Sequence, residues 1–214
     1  IRDLRMSRGL GDVYKRQIAE RPNVEEQTIH VLYSYEELLQ KTYSLIREPQ
    51  IKHVSQLIGE HTRIFLYGFG SSGLAAQEFQ LRLLRLGMDA EAITELHQMV
   101  LNEARITNAC LVIGISLSGA TRELIDALDR AKARGAAVIY LTSSNAEREK
   151  RTYEEIVLAP VKKNLEYGNV ISPQFPILLI LDLIYAQLLK EDRRSTEAQY
   201  DTHIWERIKD YHVG

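Results

Sequence analysis

The residues best suited to chemistry in this 214-residue sequence lie between Cys110 and Thr121. The run reads Cys-Leu-Val-Ile-Gly-Ile-Ser-Leu-Ser-Gly-Ala-Thr, an apolar stretch ending abruptly in Ser116, Ser118, Gly119 and Thr121. An amphipathic stretch, Arg122 to Arg134, follows at once. The pattern predicts a buried strand, a hydroxyl-rich turn and a helix start. Exposed amides at a helix N-terminus, joined by several hydroxyls, suit a small anion such as a phosphate. Helix capping by Ser118 or Thr121 would account for one hydroxyl. Three hydroxyls around a glycine exceed that need.

A second loop of similar character lies upstream, Gly68-Phe69-Gly70-Ser71-Ser72-Gly73. It satisfies G-x-G-x-x-G between a strand and a helix, a pattern of dinucleotide sites, and Glu95 after the next strand could take the ribose. A plain structural role also fits, a glycine turn that lets strand and helix pack closely. A nicotinamide site, however, needs one glycine loop with open space beyond it. Here the Ser116 to Thr121 loop would stand in that space. Two hydroxyl-rich loops at one crevice suit a single compact phosphate better than a pyrophosphate.

The elements that must position these loops can be read from periodicity. Asn23 to Ile46 reads as a helix, and Pro49 opens a second that ends near Gly59. Strands are expected at 63–67, 90–94, 109–115, 137–142 and 155–159, with helices at 74–86, 96–104, 120–134 and from 145 to about Tyr153. Gly87 and Gly135 close two of those helices. A polar loop covers 162–172, an apolar helix 173–190, a charged break 191–194, and a last amphipathic helix with Trp205 runs over 196–211. Alternating strands and helices imply a parallel sheet covered on both faces, an α/β three-layer αβα sandwich of five strands with flanking N- and C-terminal helices. In the flavodoxin-like strand order the first and third strands flank the switch point, so both loops would face one crevice.

Composition excludes several classes. A net charge of −2 leaves no general electrostatic footprint for nucleic acid. Cys110 is the single cysteine and reads as a small core residue. No signal peptide or apolar run of transmembrane length is present, so a cytoplasmic protein without membrane contact is expected. His30, His53, His61, His203 and His212 have no metal-ligand spacing, and neither a metal nor a cofactor is expected. Residues 1–17 are basic and without periodicity, and Asp12 to Gln17 resembles one reading frame of a transposase adaptor. They are expected to be a non-native or disordered leader replacing native sequence before Ile18. Setting aside their five Lys/Arg and two acids leaves 22 basic and 27 acidic residues. The expected divisions are 1–17 leader, 18–60 N-terminal helices, 61–192 main domain and 193–214 C-terminal helix.

From about Val24 to Leu189 the chain resembles the sugar isomerase (SIS) domain, and most of all the effector domain of RpiR-type bacterial transcriptional regulators. The matching pieces are Tyr67-Gly68-Phe69-Gly70-Ser71-Ser72-Gly73, Ile115-Ser116-Leu117-Ser118-Gly119-Ala120-Thr121, and Arg134-Gly135-Ala136 before the fourth strand. The resemblance implies phosphosugar binding. Ser116, Ser118 and Thr121 would surround the phosphate with Gly119, and Gly70, Ser71 and Ser72 would lie beside them toward the sugar. It departs from the wider domain at Ala120, where an acidic residue is common. The regulators carry a helix-turn-helix domain, which is not read in this sequence, so DNA contact is expected only through such a domain. A homodimer or tetramer is implied, in which ligand shifts the spacing of attached DNA-binding domains. The alternative is a phosphosugar aldose–ketose isomerase of the same fold, which needs a base for an enediolate step. Glu166 and His97 are the candidates, and the resemblance to regulators favours ligand contact over catalysis for both.

Overall fold

The computed structural model describes residues 26–143, 152–160 and 171–195. The chain opens with helix α1 (Glu26–Leu45) and helix α2 (Glu48–Glu60), the latter started by Pro49 in its first turn. Strand β1 (Arg63–Gly68) leads into α3 (Gly70–Arg85), and β2 (Ala90–Ile93) into the short α4 (Leu96–Asn102). Strand β3 (Cys110–Ser116) leads into α5 (Arg122–Ala133). Strands β4 (Ala137–Thr142) and β5 (Glu155–Leu158) and helix α6 (Phe175–Ser195) complete the described chain.

The five strands form one sheet in the order β2-β1-β3-β4-β5, and every pairing is parallel. This is the α/β three-layer sandwich the strand–helix alternation predicts. Alternation of side chains across the strands splits the core in two. On one face Ile64, Leu66, Ile113, Ile115, Ile139 and Leu141 meet α2, α3 and α6 through Val54, Ile58, Phe79, Leu83, Ile180 and Ile184. On the other, Phe65, Tyr67, Val112, Val138 and Tyr140 meet α4 and α5 through Met99, Leu124, Leu128 and Ala131. Gly114, in mid-β3, is needed for that second face. A Cβ there would lie 2.5 Å from the Leu128 side chain. Helix α1 lies outside α6, with Leu38 packed on Ile171 and the Tyr35 ring edge-on to Phe175 at 4.9 Å between centroids.

Several boundaries differ from the sequence expectation, and three of them have a clear physical reason. Helix α3 begins at Gly70 rather than Leu74, so Ser71 and Ser72 lie in its first turn. Glycines and serines are poor helix formers, which hides the start from periodicity. Helix α5 begins at Arg122, not Ala120, because Thr121 is its extended N-cap residue. Helix α6 runs on through the charged stretch 191–194 expected as a break. Lys, Glu and Arg are good helix formers, and Gln187 Nε2 donates to Glu191 Oε1 at 2.7 Å one turn on. The expected segments over residues 1–17, 145–151, 162–170 and 196–211 lie outside the described residues, as do Glu166 and Trp205.

The outer end of the sheet is tied by Glu154. Its Oε2 accepts the Val138 amide at 2.6 Å and its Oε1 pairs with the Lys132 ammonium. Burial works against the charged carboxylate, but the Lys132 and Val138 bonds outweigh it and hold its pKa below the ordinary carboxylate value. A group whose pKa is lower folded than unfolded stabilises above its unfolded pKa, and that stability is lost as pH falls through the folded one. Glu154→Gln is therefore expected to lower stability at neutral pH and flatten its fall toward about pH 3. Urea midpoints measured across that range check this, and parallel curves for the two proteins would refute it.

Candidate functional site

The register of β1 against β3 sets the site. Gly68 pairs with Ile115, so the chain leaves both strands at the same level, Phe69 from one and Ser116 from the other. These are neighbouring strands at the point where the order turns back, and their carboxyl ends form the switch-point crevice. Each loop runs straight into a helix, α3 or α5.

Neither helix start is capped by a side chain. Phe69 is the N-cap residue of α3 and has no group to do it. Thr121 is the N-cap residue of α5, yet its hydroxyl makes no capping bond. Capping therefore does not explain the hydroxyls. They face one another instead: Ser116 Oγ lies 3.1 Å from Thr121 Oγ1 and 3.3 Å from Ser118 Oγ, and Ser118 Oγ lies 3.4 Å from Thr121 Oγ1. Ser116 is buried at the strand end, while Ser118 is exposed and Thr121 half-buried. Hydroxyl protons rotate, so this triangle can turn three donors toward one anionic oxygen. The turn is closed by the Gly119 amide donating to the Ser116 carbonyl at 3.2 Å, with Gly119 at φ 64°, a left-handed conformation that favours glycine. The Ala120 amide donates to Ser118 Oγ at 3.3 Å.

The glycines of the first loop divide their work. A Cβ on Gly68 would stand 2.9 Å from the Ser72 backbone, and one on Gly73 would stand 2.9 Å from both the Gly68 carbonyl oxygen and Thr94 Cγ2. These two serve the close packing of β1, α3 and the end of β2. Gly70 differs: at φ 53° it makes the turn, and no atom within 4 Å would meet a Cβ. Ser71 is exposed and Ser72 half-buried on the first turn of α3.

His97 and Glu95 are exposed at the start of α4, beyond β2, and the Glu95 side chain does not cap that helix. Glu166 lies outside the described residues. His53 and His61 have local partners, Glu155 Oε1 at 2.7 Å and the Leu57 carbonyl at 2.7 Å. Among the described residues no group of three or more His, Cys, Asp or Glu could hold a metal ion.

Two hydrogen bonds near the loops are not foretold by the motifs. Under the first loop, the buried Tyr67 hydroxyl accepts from Asn102 Nδ2 at 2.8 Å. Burial raises the phenol above its ordinary pKa despite that bond, so it stays neutral. Beside the second loop, the Ser143 hydroxyl donates to the Leu117 carbonyl. Ser143 follows β4, and the rule that ligands gather beyond strand ends could have pointed to it.

The geometry has clear relatives. The SIS domain family matches residues 56–174, more than half of the chain and both loops. An uncharacterized HTH-type transcriptional regulator of Haemophilus influenzae is 30% identical over 153 residues, covering 72% of this chain and 53% of that protein. The sugar isomerase domain of an RpiR transcription factor from Sphaerobacter thermophilus superposes with a TM-score of 0.72 at 20% identity, covering 79% of this chain and 93% of that one. The Vibrio vulnificus NanR protein, complexed with ManNAc-6P, superposes with a TM-score of 0.72 at 21% identity, covering 90% of this chain and 71% of that one. The chain spans about half the length of the curated regulators it matches. The two strand-end loops, the parallel sheet in its 2-1-3-4-5 order and the family match over both agree, and the chain belongs to the SIS domain family.

Proposed function

We propose that this chain is the phosphosugar-sensing domain of an RpiR-type transcriptional regulator acting in the cytoplasm. The observation that carries the reading is the pair of helix starts, neither capped by a side chain, at the paired ends of β1 and β3, with three hydroxyls gathered over one of them. Two helix dipoles and rotatable donors favour a phosphate there. Ser116, Ser118, Gly119 and Thr121 hold the phosphate, while Gly70, Ser71 and Ser72 border the sugar, with His97 and Glu166 as its outer contacts. The regulators among the relatives support sensing over turnover, and NanR's ManNAc-6P supports the ligand class.

A homodimer or tetramer belongs to this reading. Leu74, Leu81 and Leu84 on α3 and Leu96, Val100 and Leu101 on α4 are exposed leucine and valine side chains on helices of the two faces of the sheet, and an assembly could cover them. Ligand would then act by shifting the arrangement of subunits, and DNA would be contacted through a helix-turn-helix domain of the full-length protein. The divisions that fit the reading are 18–60 as a leading segment and the sensor from 61 to the end of α6 at Ser195, which carries the sensor past the boundary expected at 192.

A panel of sugar phosphates, ManNAc-6P among them, tests the ligand class by thermal shift. A ligand at about a hundred times its Kd stabilises by roughly 2.7 kcal/mol, a shift of a few degrees in Tm. Stabilisation by NAD(P) and by no sugar phosphate would overturn the reading. Incubating the best binder and following the sugar by NMR separates sensing from chemistry. No conversion is expected, and turnover abolished by Glu166→Gln would establish the isomerase instead.

A further inference from the structure

The second loop is held from outside as well as from within. Its internal bonds use the Ser116 carbonyl, taken by Gly119, and the Ser118 hydroxyl, taken by Ala120. The Leu117 carbonyl, between them, is taken by the Ser143 hydroxyl across the β3–β4 step. Ser143 is well placed to hold it. The preceding residue, Thr142, is fully buried and pairs with Ser116 on one side and Leu158 on the other. The Thr142 carbonyl also accepts the Ala159 amide at 2.8 Å. Ser143 therefore hangs from a rigid strand end rather than from a loop.

That bond fixes more than a carbonyl. The Leu117 carbonyl and the Ser118 amide share one planar trans peptide, so they point in opposite directions. With the carbonyl drawn to Ser143, the Ser118 N–H is turned away from Ser143, and the dipole of that peptide is set. A rotated peptide would reverse the dipole and move Ser118, whose hydroxyl is one corner of the triangle with Ser116 and Thr121. Preset donors cost less to order when an anion arrives.

We propose that Ser143 is a positioning residue for ligand binding, acting through the Leu117–Ser118 peptide to preset the second loop for a phosphate. The proposal rests on the reading of that loop as a phosphate grip. It assigns Ser143 no contact with the ligand itself.

Inorganic phosphate is the probe, titrated into 15N-labelled protein and read at the amides of residues 116–121. Ser143→Ala is expected to weaken phosphate about fivefold to tenfold, the effect of losing one hydrogen bond. The Ser118 amide should shift and exchange faster even before phosphate is added. Ser143→Thr, which keeps a hydroxyl donor, should restore both properties. Ser118→Ala separates the two possible failures. If Ser118→Ala weakens phosphate but Ser143→Ala does not, the positioning role is wrong and the phosphate grip stands. A Ser143→Ala protein that binds more weakly with its Ser118 amide unmoved would make Ser143 a direct ligand contact and likewise overturn the proposal. If neither variant affects phosphate, the phosphate grip falls and the positioning role with it.

Discussion

Replacing Ser118 by alanine is expected to weaken binding of a phosphosugar by roughly 1–3 kcal/mol, about 5- to 150-fold in Kd. The size of the effect follows from what the hydroxyl does. It lies 3.3 and 3.4 Å from the other two hydroxyls of the loop, and a bond to a phosphate oxygen is charge-assisted. Its loss also removes the acceptor for the Ala120 amide, but Ala120 is an exposed residue, where water can replace the bond. Ser118 caps no helix and is itself exposed, so stability without ligand should change by less than about 0.5 kcal/mol. Calorimetric titration with the best sugar phosphate of the panel, beside a melting curve of the free protein, reads both quantities. Unchanged affinity would remove this loop from the ligand site. A large loss of stability would mean the hydroxyl triangle is a structural clasp.

Phe79→Ala is expected to cost about 3–5 kcal/mol of folding stability, the range for emptying a buried aromatic site. Phe79 is fully buried on the inner face of α3, in the core shared by the sheet, α2 and α6. Its neighbours there belong to three elements fixed by other contacts, so the space should not collapse to fill. Because α3 carries Ser71 and Ser72 on its first turn, the helix that loses its anchor is one that borders the site. Urea unfolding gives the stability change. A loss below about 1 kcal/mol would mean that α3 repacks freely over the sheet.

Much of this arrangement was legible in the order of residues. Five apolar runs separated by helical patterns predict a parallel sheet, because a strand buried on both faces has no polar side to show. With the flavodoxin-like strand order taken from that fold class, the glycine- and hydroxyl-rich runs after the first and third strands meet at the switch point, where an α/β sheet places its ligands. Ser116, Ser118 and Thr121 could be named because three hydroxyls around a glycine at a strand end have few other uses. Element ends were less legible. Glycine and serine conceal the start of α3, and charged residues with high helix propensity carry α6 past the break their polarity suggested.

Ser116 to Thr121 shows where the division lies. The local pattern alone determined that this stretch is a strand, a turn and a helix start with hydroxyls between them, since those properties depend on neighbours a few residues away. Tertiary structure alone decided that Thr121 leaves its helix uncapped, that the three hydroxyls meet, and that Gly68 and Gly73 serve packing while Gly70 stands open. It also decided the Ser143 bond to Leu117, which joins residues 26 positions apart. Such contacts are set by strand register and by the close packing of helices on the sheet. Both are global properties, and no window of sequence contains them.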